Sequence, residues 1–266
     1  MAKRLISTVI GIAVLILVMA LRNVDVFNIA LTIVAIIGIH EFYSAFKNKE
    51  MKPVAIIGYI ATLGLLLVNQ EYDKIKTILI LALPVILLLL FAKSVFSNMK
   101  TSFMDVLITL FGIIYIPFFL MFLTLTRQMD YGEYYVWLIL GGAWITDSFA
   151  YLIGSKIGRH KFSKISPNKS IEGAIAGVIS CAIFYGIYTY YLNKVGLNLN
   201  YVEMIIVGAI ISIISQIGDL AASEIKRFCG IKDFGKIMPG HGGILDRFDS
   251  IIMISPFVYM FLQFLN

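Results

Sequence analysis

The stretch FMDVLITLFGIIYIPFFLMFLTL, Phe103 to Leu125, carries one charged residue, Asp105, in 23 positions. A segment of that length and character crosses the roughly 30 Å hydrocarbon core of a bilayer as a helix, which needs about 20 residues. Eight further apolar runs flank it: Leu5–Leu21, Val26–Phe46, Val54–Val68, Ile75–Phe91, Tyr134–Ile153, Gly173–Leu192, Tyr201–Leu220 and Ile251–Leu265. The third is the weakest and reads equally as re-entrant. Composition agrees, with 59% apolar and 14% charged residues against about half and a quarter in soluble domains. The expectation is an all-α polytopic membrane helical bundle of nine transmembrane helices, forming one integral domain over residues 1–266. Residues 1–130 supply N-terminal helices, and 131–266 carry the helices and loops of the candidate active site. The opening Met1-Ala2-Lys3-Arg4 and its apolar run read as a retained span, since no small-residue cleavage site follows. Cys181 in a span and Cys229 in a loop make neither a disulfide framework nor a thiolate metal site.

Lysine and arginine give the orientation, because they collect in cytoplasmic loops. With a cytoplasmic N-terminus and nine alternating spans, 17 of the 22 fall inside. The loops after spans six and eight hold ten of them. That rule accounts for cations but not for acids, glycines or histidine.

Several apparent motifs fail. Gly230 to Ile237, GIKDFGKI, has P-loop spacing, but Ile237 stands where the magnesium-binding hydroxyl belongs. HEFYS begins like a zinc-protease helix, but Ser44 replaces the second histidine. His40 and Glu41 therefore read as structural groups at the end of span two. With only His40, His160 and His241 in the chain, no Ser-His-Asp arrangement stands out.

The informative polarity begins in SQIGDLAASEIKRF. Ser215, Asp219, Ser223 and Lys226 stack on one helical face, with Arg227 beside them. An intramembrane acid costs about 2.5–3.5 kcal/mol on insertion scales and usually marks a site. The alternative is a helix-end ion pair of Asp219 with Lys226 or Arg227. Then follows KDFGKIMPGHGGILDRFDS, where Gly235, Gly240, Gly242 and Gly243 permit positive φ and close backbone approach. Asp246 and Asp249 lie one turn apart at the start of the last span, where ordinary helix capping is the alternative reading. Packing of the last two spans would gather Asp219, Asp246 and Asp249, oxygen ligands suited to Mg²⁺. Lys226, Arg227, Lys232 and Arg247 offer cations for phosphates. Upstream, Asp147 is another intramembrane acid, and SPNKSIEG offers Ser166, Lys169 and Glu172. A metal with cations and little covalent chemistry is what phosphoryl or nucleotidyl transfer requires.

The ordered set Ser223, Lys226, Arg227, Lys232, Asp233, Gly235, Pro239, Gly240, His241, Gly242, Gly243, Asp246, Arg247, Asp249 and Ser250 resembles the signature of the phosphatidate cytidylyltransferases, or CDP-diacylglycerol synthases. SPNKSIEG departs from the family's stretch at Asn168, Ser170 and Ile171, and Met238 is a minor departure. The resemblance implies a magnesium-dependent transfer at the cytoplasmic membrane face, in which CTP and phosphatidic acid give CDP-diacylglycerol and pyrophosphate. It also implies a dinuclear centre that can include K⁺, and a homodimer. By position, Asp219 and Asp246 would hold metal, Ser223, Lys226 and Arg227 would handle phosphates, and Asp249 would support them. Ser166, Lys169, Lys232, Asp233, His241, Arg247 and Asp147 would bind substrate. Two rivals stay open, a CTP-dependent lipid kinase and a transporter of anionic solutes.

Overall fold

The computed structural model describes residues 2–67, 72–98, 100–161, 163, 165–238, 240 and 242–265. The helices are α1 (Ala2–Ala20), α2 (Val24–Phe46), α3 (Ala55–Leu67), α4 (Tyr72–Phe96), α5 (Phe103–Ile113), α6 (Phe119–Gln128), α7 (Gly132–Ile157), α8 (Ile171–Val195), α9 (Tyr201–Phe228) and α10 (Leu245–Leu265). The β pairing among the described residues is confined to the isolated bridges Lys161–Ser170 and Met238–Gly242. In lipid only a helix or a closed barrel satisfies every backbone polar group, so apolar runs of this length fold as helices. Each run read from the sequence overlaps helix, the fifth spanning α5, a π-helical turn and α6; Leu21 and Val54 fall just outside α1 and α3, and Val68 lies outside the described residues. Among the described residues, five segments are long and apolar enough to cross a membrane: Val24–Lys49, Phe103–Gln128, Gly132–Ile157, Ile171–Val195 and Tyr201–Phe228. The chain is therefore an all-α, multi-pass membrane protein. The described part of α3, 13 residues, rises about 20 Å.

The chain divides into two compact units, Met1–Leu125 with Phe228–Asp246, and Thr126–Arg227 with Arg247–Asn266. In the first, α2 packs on α3 and α5. Ser102 and Asp105 close a reciprocal capping box on α5, the Ser102 hydroxyl taking the Asp105 N–H at 3.1 Å and the Asp105 carboxylate the Ser102 N–H at 2.8 Å. Asp105 also takes the Lys52 N–H, so the one charge of the opening stretch terminates a helix and anchors a loop. Pro117 lacks an N–H and sits in a π-helical turn, Ile114–Phe118, that joins α5 to α6 without ending the rod. The Tyr43 ring fills the space beside Gly58 and Gly112, where a Cβ would overlap it, and its hydroxyl donates to the Thr109 carbonyl at 2.9 Å.

In the second unit α7 runs along α8. Gly173 and Gly177, one turn apart, bring α8 against the Ala150 and Thr146 carbonyls of α7, the small-residue contact that lets membrane helices approach without a hydrophobic driving force. Fully buried Tyr185 donates to the Leu138 carbonyl at 2.9 Å. Gly208 of α9 lies under that ring, and Gly218 lies against Met253 of α10.

Candidate active site

The second unit gathers most of the polar residues singled out in the sequence. Asp219, half-buried on α9, is ion-paired with Lys169 from the α7–α8 loop. That loop is held at both ends. Ser170 caps α8 by accepting the Gly173 N–H at 3.1 Å, and Ser166 accepts the Lys169 N–H at 3.0 Å through its carbonyl. Glu172, in the first turn of α8, accepts the Arg159 N–H at 3.2 Å and bonds the His160 ring at 2.7 Å. Gly154 and Gly158 leave the room that the Ser170 hydroxyl occupies. The loop lysine is thereby delivered to Asp219 from a fixed frame.

Asp249 is 7% exposed on α10, and the charges of Asp219, Lys226 and Asp147 all act on it. It accepts the backbone N–H of Ser250 at 2.8 Å. The Ser250 hydroxyl lies 3.4 Å from both the Asp147 carboxylate and the Ser215 carbonyl, and its single proton serves one of them at a time. Asp147, on α7, feels Asp219, Lys169 and Arg247. Ser223 and Lys226 are buried on α9, while Arg227 and Arg247 are exposed. The Ser215 hydroxyl is buried and has no hydrogen-bond partner among the described residues. Three carboxylates from three helices, Asp147, Asp219 and Asp249, thus cluster with Lys169 and Lys226.

The first unit holds the loop from Phe228 to Asp246. Gly240 and Gly242 have positive φ, 81° and 87°, so their freedom is used in the turn. The Met238 N–H donates to the Gly242 carbonyl at 3.0 Å. Asp246 draws the loop together through one oxygen, Oδ2, which takes the Phe234 N–H at 2.8 Å and the Gly243 N–H at 2.9 Å. Lys232 and Asp233 are exposed on the same loop, and the Asp233 Cβ lies beside Gly242. His241 lies outside the described residues.

Sequence reasoning had set Glu41 aside as a structural helix-end group. It is 3% exposed on α2, and its carboxylate accepts the N–H groups of Ile244 at 3.2 Å and Leu245 at 2.9 Å, more than 200 residues away. Gly235 and Gly243 are glycine because a Cβ at either would fall on that carboxylate, not because of their φ angles. A negative charge inside an apolar helix, in the HE pair, was the available signal; its distant partner was not encoded in any spacing.

The arrangement can hold phosphate groups with Lys169 and Lys226 and offers carboxylate oxygen to a hard cation. Among the described residues no three His, Cys, Asp or Glu side chains gather as a ready metal cage. Mg²⁺ usually takes one or two carboxylates and completes its shell with water and substrate phosphate. Residues 2–265 match the family described as the cytidylyltransferase family. A phosphatidate cytidylyltransferase of Staphylococcus haemolyticus (strain JCSC1435) is 35% identical over 231 residues, covering 86% of this chain and 87% of the relative. One of Staphylococcus aureus (strain COL) is 33% identical over 266 residues, covering 98% and 99%. One of Staphylococcus saprophyticus is 34% identical over 220 residues, covering 81% and 83%. With a family match along nearly the whole chain and relatives a third identical over more than four-fifths of their length, the chain belongs to the cytidylyltransferase family.

Proposed function

We propose that this protein is a phosphatidate cytidylyltransferase, joining CTP and phosphatidic acid into CDP-diacylglycerol and pyrophosphate. The observation that carries the reading is the polar cluster of the second unit, Asp147, Asp219 and Asp249 with Lys169 and Lys226, in a chain of this family.

The chemistry asks little covalent help of the protein. An oxygen of the lipid phosphate, already an anion at neutral pH, attacks the α-phosphorus of CTP. The bond from that phosphorus to the oxygen bridging to the β-phosphorus breaks, and pyrophosphate leaves with the electron pair. Catalysis is then positioning and charge stabilisation. Asp219 and Asp246 would hold Mg²⁺, with K⁺ as the second ion of a dinuclear centre. Bound there, the metal would supply neutralisation of phosphate oxygens. Lys169, Lys226 and Arg227 hold phosphates, Ser166 and Ser223 offer hydroxyls to them, and Lys232, Asp233 and Arg247 attend the nucleotide. Asp249 and Asp147 both bond Ser250, the first through its backbone N–H and the second through its hydroxyl, and keep that side of the cluster polar. For His241 two readings stand side by side, a phosphate contact and a structural turn residue.

The same reading gives nine membrane crossings, a cytoplasmic N-terminus and a site open to CTP from the cytoplasm and to lipid from the side. The concentration of 17 of 22 cationic residues in one set of loops supports it. The family resemblance supports a homodimer. The test is purified protein in lipid nanodiscs with phosphatidate, Mg²⁺ and CTP labelled at the α- or γ-phosphorus. Label from the α-position in the lipid product is expected. Label only from the γ-position would make the protein a lipid kinase, and solute flux without nucleotide consumption would make it a transporter.

A further inference from the structure

Helix α10 begins at Leu245, and its first N–H groups have no helical carbonyl to bond. The residue before it is Ile244, whose side chain cannot cap. The cap comes instead from Glu41 on α2, whose two oxygens take the Ile244 and Leu245 N–H groups. A Ser or Asp at position 244 would cap the N–H groups two and three residues on and leave those of 244 and 245 to another acceptor, and the acceptor used is a buried carboxylate, which costs several kcal/mol of desolvation before its bonds return it. The room around Glu41 is equally specific. Gly235 and Gly243 both abut its carboxylate, and neither has space for a Cβ. Gly243 in turn gives its N–H to Asp246, one residue into α10. The chain of contacts therefore runs from Glu41 through the Gly243 turn and the helix start to the carboxylate of Asp246.

We propose that Glu41 is a positioning residue of the transfer site: it fixes the first turn of α10 and the Gly242-Gly243 turn, and so sets where Asp246 presents its carboxylate. This rests on the reading of Asp246 as a metal ligand. Glu41 touches neither metal nor substrate in this scheme. It acts as an outer-shell group, and removal of such partners typically costs about 10- to 100-fold in metal affinity or activity.

The test combines activity with a measurement independent of it. Amide hydrogen exchange is followed over residues 234–246 in the purified full chain, and the Mg²⁺ concentration for half-maximal rate is compared with the KM for phosphatidate. Glu41→Ala is expected to speed exchange at Gly243 to Asp246 and to raise the Mg²⁺ requirement about 10- to 100-fold, with the phosphatidate KM unchanged. Glu41→Gln, which keeps the shape and one acceptor oxygen, should do the same more mildly and covers a failure of the alanine variant to insert. Gly243→Ala should reproduce the defect by displacing the carboxylate, and should add little to Glu41→Ala, where the space is free. Normal exchange and Mg²⁺ dependence in the Glu41 variants, or full multiplication of the Gly243→Ala and Glu41→Ala effects, would overturn the proposal. Normal turnover by Asp246→Asn would instead refute the metal assignment beneath it, and the two failures are separately visible.

Discussion

Replacing Asp219 with asparagine separates the cost of a charge from its use. The side chain is 26% exposed and paired with Lys169, itself 30% exposed. A fully exposed pair contributes about 0–1 kcal/mol, whereas stranding one partner of a fully buried pair costs about 3–5 kcal/mol. This pair lies between those limits, closer to the exposed case. Against its loss stands relief. The Asp219 charge acts unfavourably on Asp147 and Asp249, both beside it. Asparagine keeps the volume and an acceptor oxygen for Lys169. The two effects oppose each other, so the expected change in stability is within about 1 kcal/mol. Function has no such offset. Loss of a charged ligand to a phosphate-bearing metal should cost at least about 10³ in kcat/KM, or about 4 kcal/mol of transition-state stabilisation. Purified Asp219→Asn, assayed with α-labelled CTP and melted in the same detergent, should be inactive yet nearly as stable as the parent. Lys169→Gln should lose stability, because it leaves three carboxylates with one lysine fewer. More than a tenth of parental turnover in Asp219→Asn would refute the assignment, and a loss of several kcal/mol there would refute the electrostatic argument.

The remaining predictions concern the frame around the site. Ser170→Ala removes the α8 cap and should cost about 1 kcal/mol by thermal melting, with a rise in the KM for CTP as Lys169 loses its fixed base. Gly173→Leu cannot fit against the Ala150 carbonyl and the Gly154 Cα, so it should separate α7 from α8 and cost at least about 3 kcal/mol; a normal melt would show that the close approach does not matter. For orientation, Lys161→Cys and Asn198→Cys lie beyond opposite ends of α8 and both positions are exposed, while the native Cys181 and Cys229 are buried. Impermeant maleimide should reach position 161 only from the cytoplasmic side and position 198 only from the other. Labelling of both from one side would exclude a crossing by α8.

Hydropathy made the helices legible because a bilayer leaves an apolar segment no other way to satisfy its backbone. It could not show that the rod around Phe103–Leu125 changes from α to π at Pro117, since periodicity is insensitive to one widened turn. It also could not show that Asp105 caps α5 from within that stretch. On α9 the spacing of Ser215, Asp219, Ser223 and Lys226 described one face correctly, because i and i+4 positions are neighbours on any helix. The partner of Asp219 was less visible. A helix-end pair with Lys226 or Arg227 was the local possibility, and Lys169, fifty residues upstream, is the group that meets it. Local rules reach four residues along a helix; ion pairs and backbone anchors depend on which helices pack.

The glycines of GHGG illustrate the same limit from another direction. Sequence offers positive φ and close backbone approach for them without saying which applies where, and Gly240 and Gly242 use the first. Gly243 and Gly235 are glycine because a carboxylate from α2 occupies the space of their side chains. The polar cost of this region is therefore spread over the chain. Glu41, Asp147, Asp219 and Asp249 are each acids in or at membrane-length helices, and each costs about 2.5–3.5 kcal/mol on insertion scales. An apolar residue at any of these positions would make a simpler membrane bundle. Three of the four acids share one cluster with Lys169 and Lys226, and the fourth caps the helix that carries Asp246. Stability alone gives no reason to assemble charges in that way, whereas a site that must hold a triphosphate beside a lipid does.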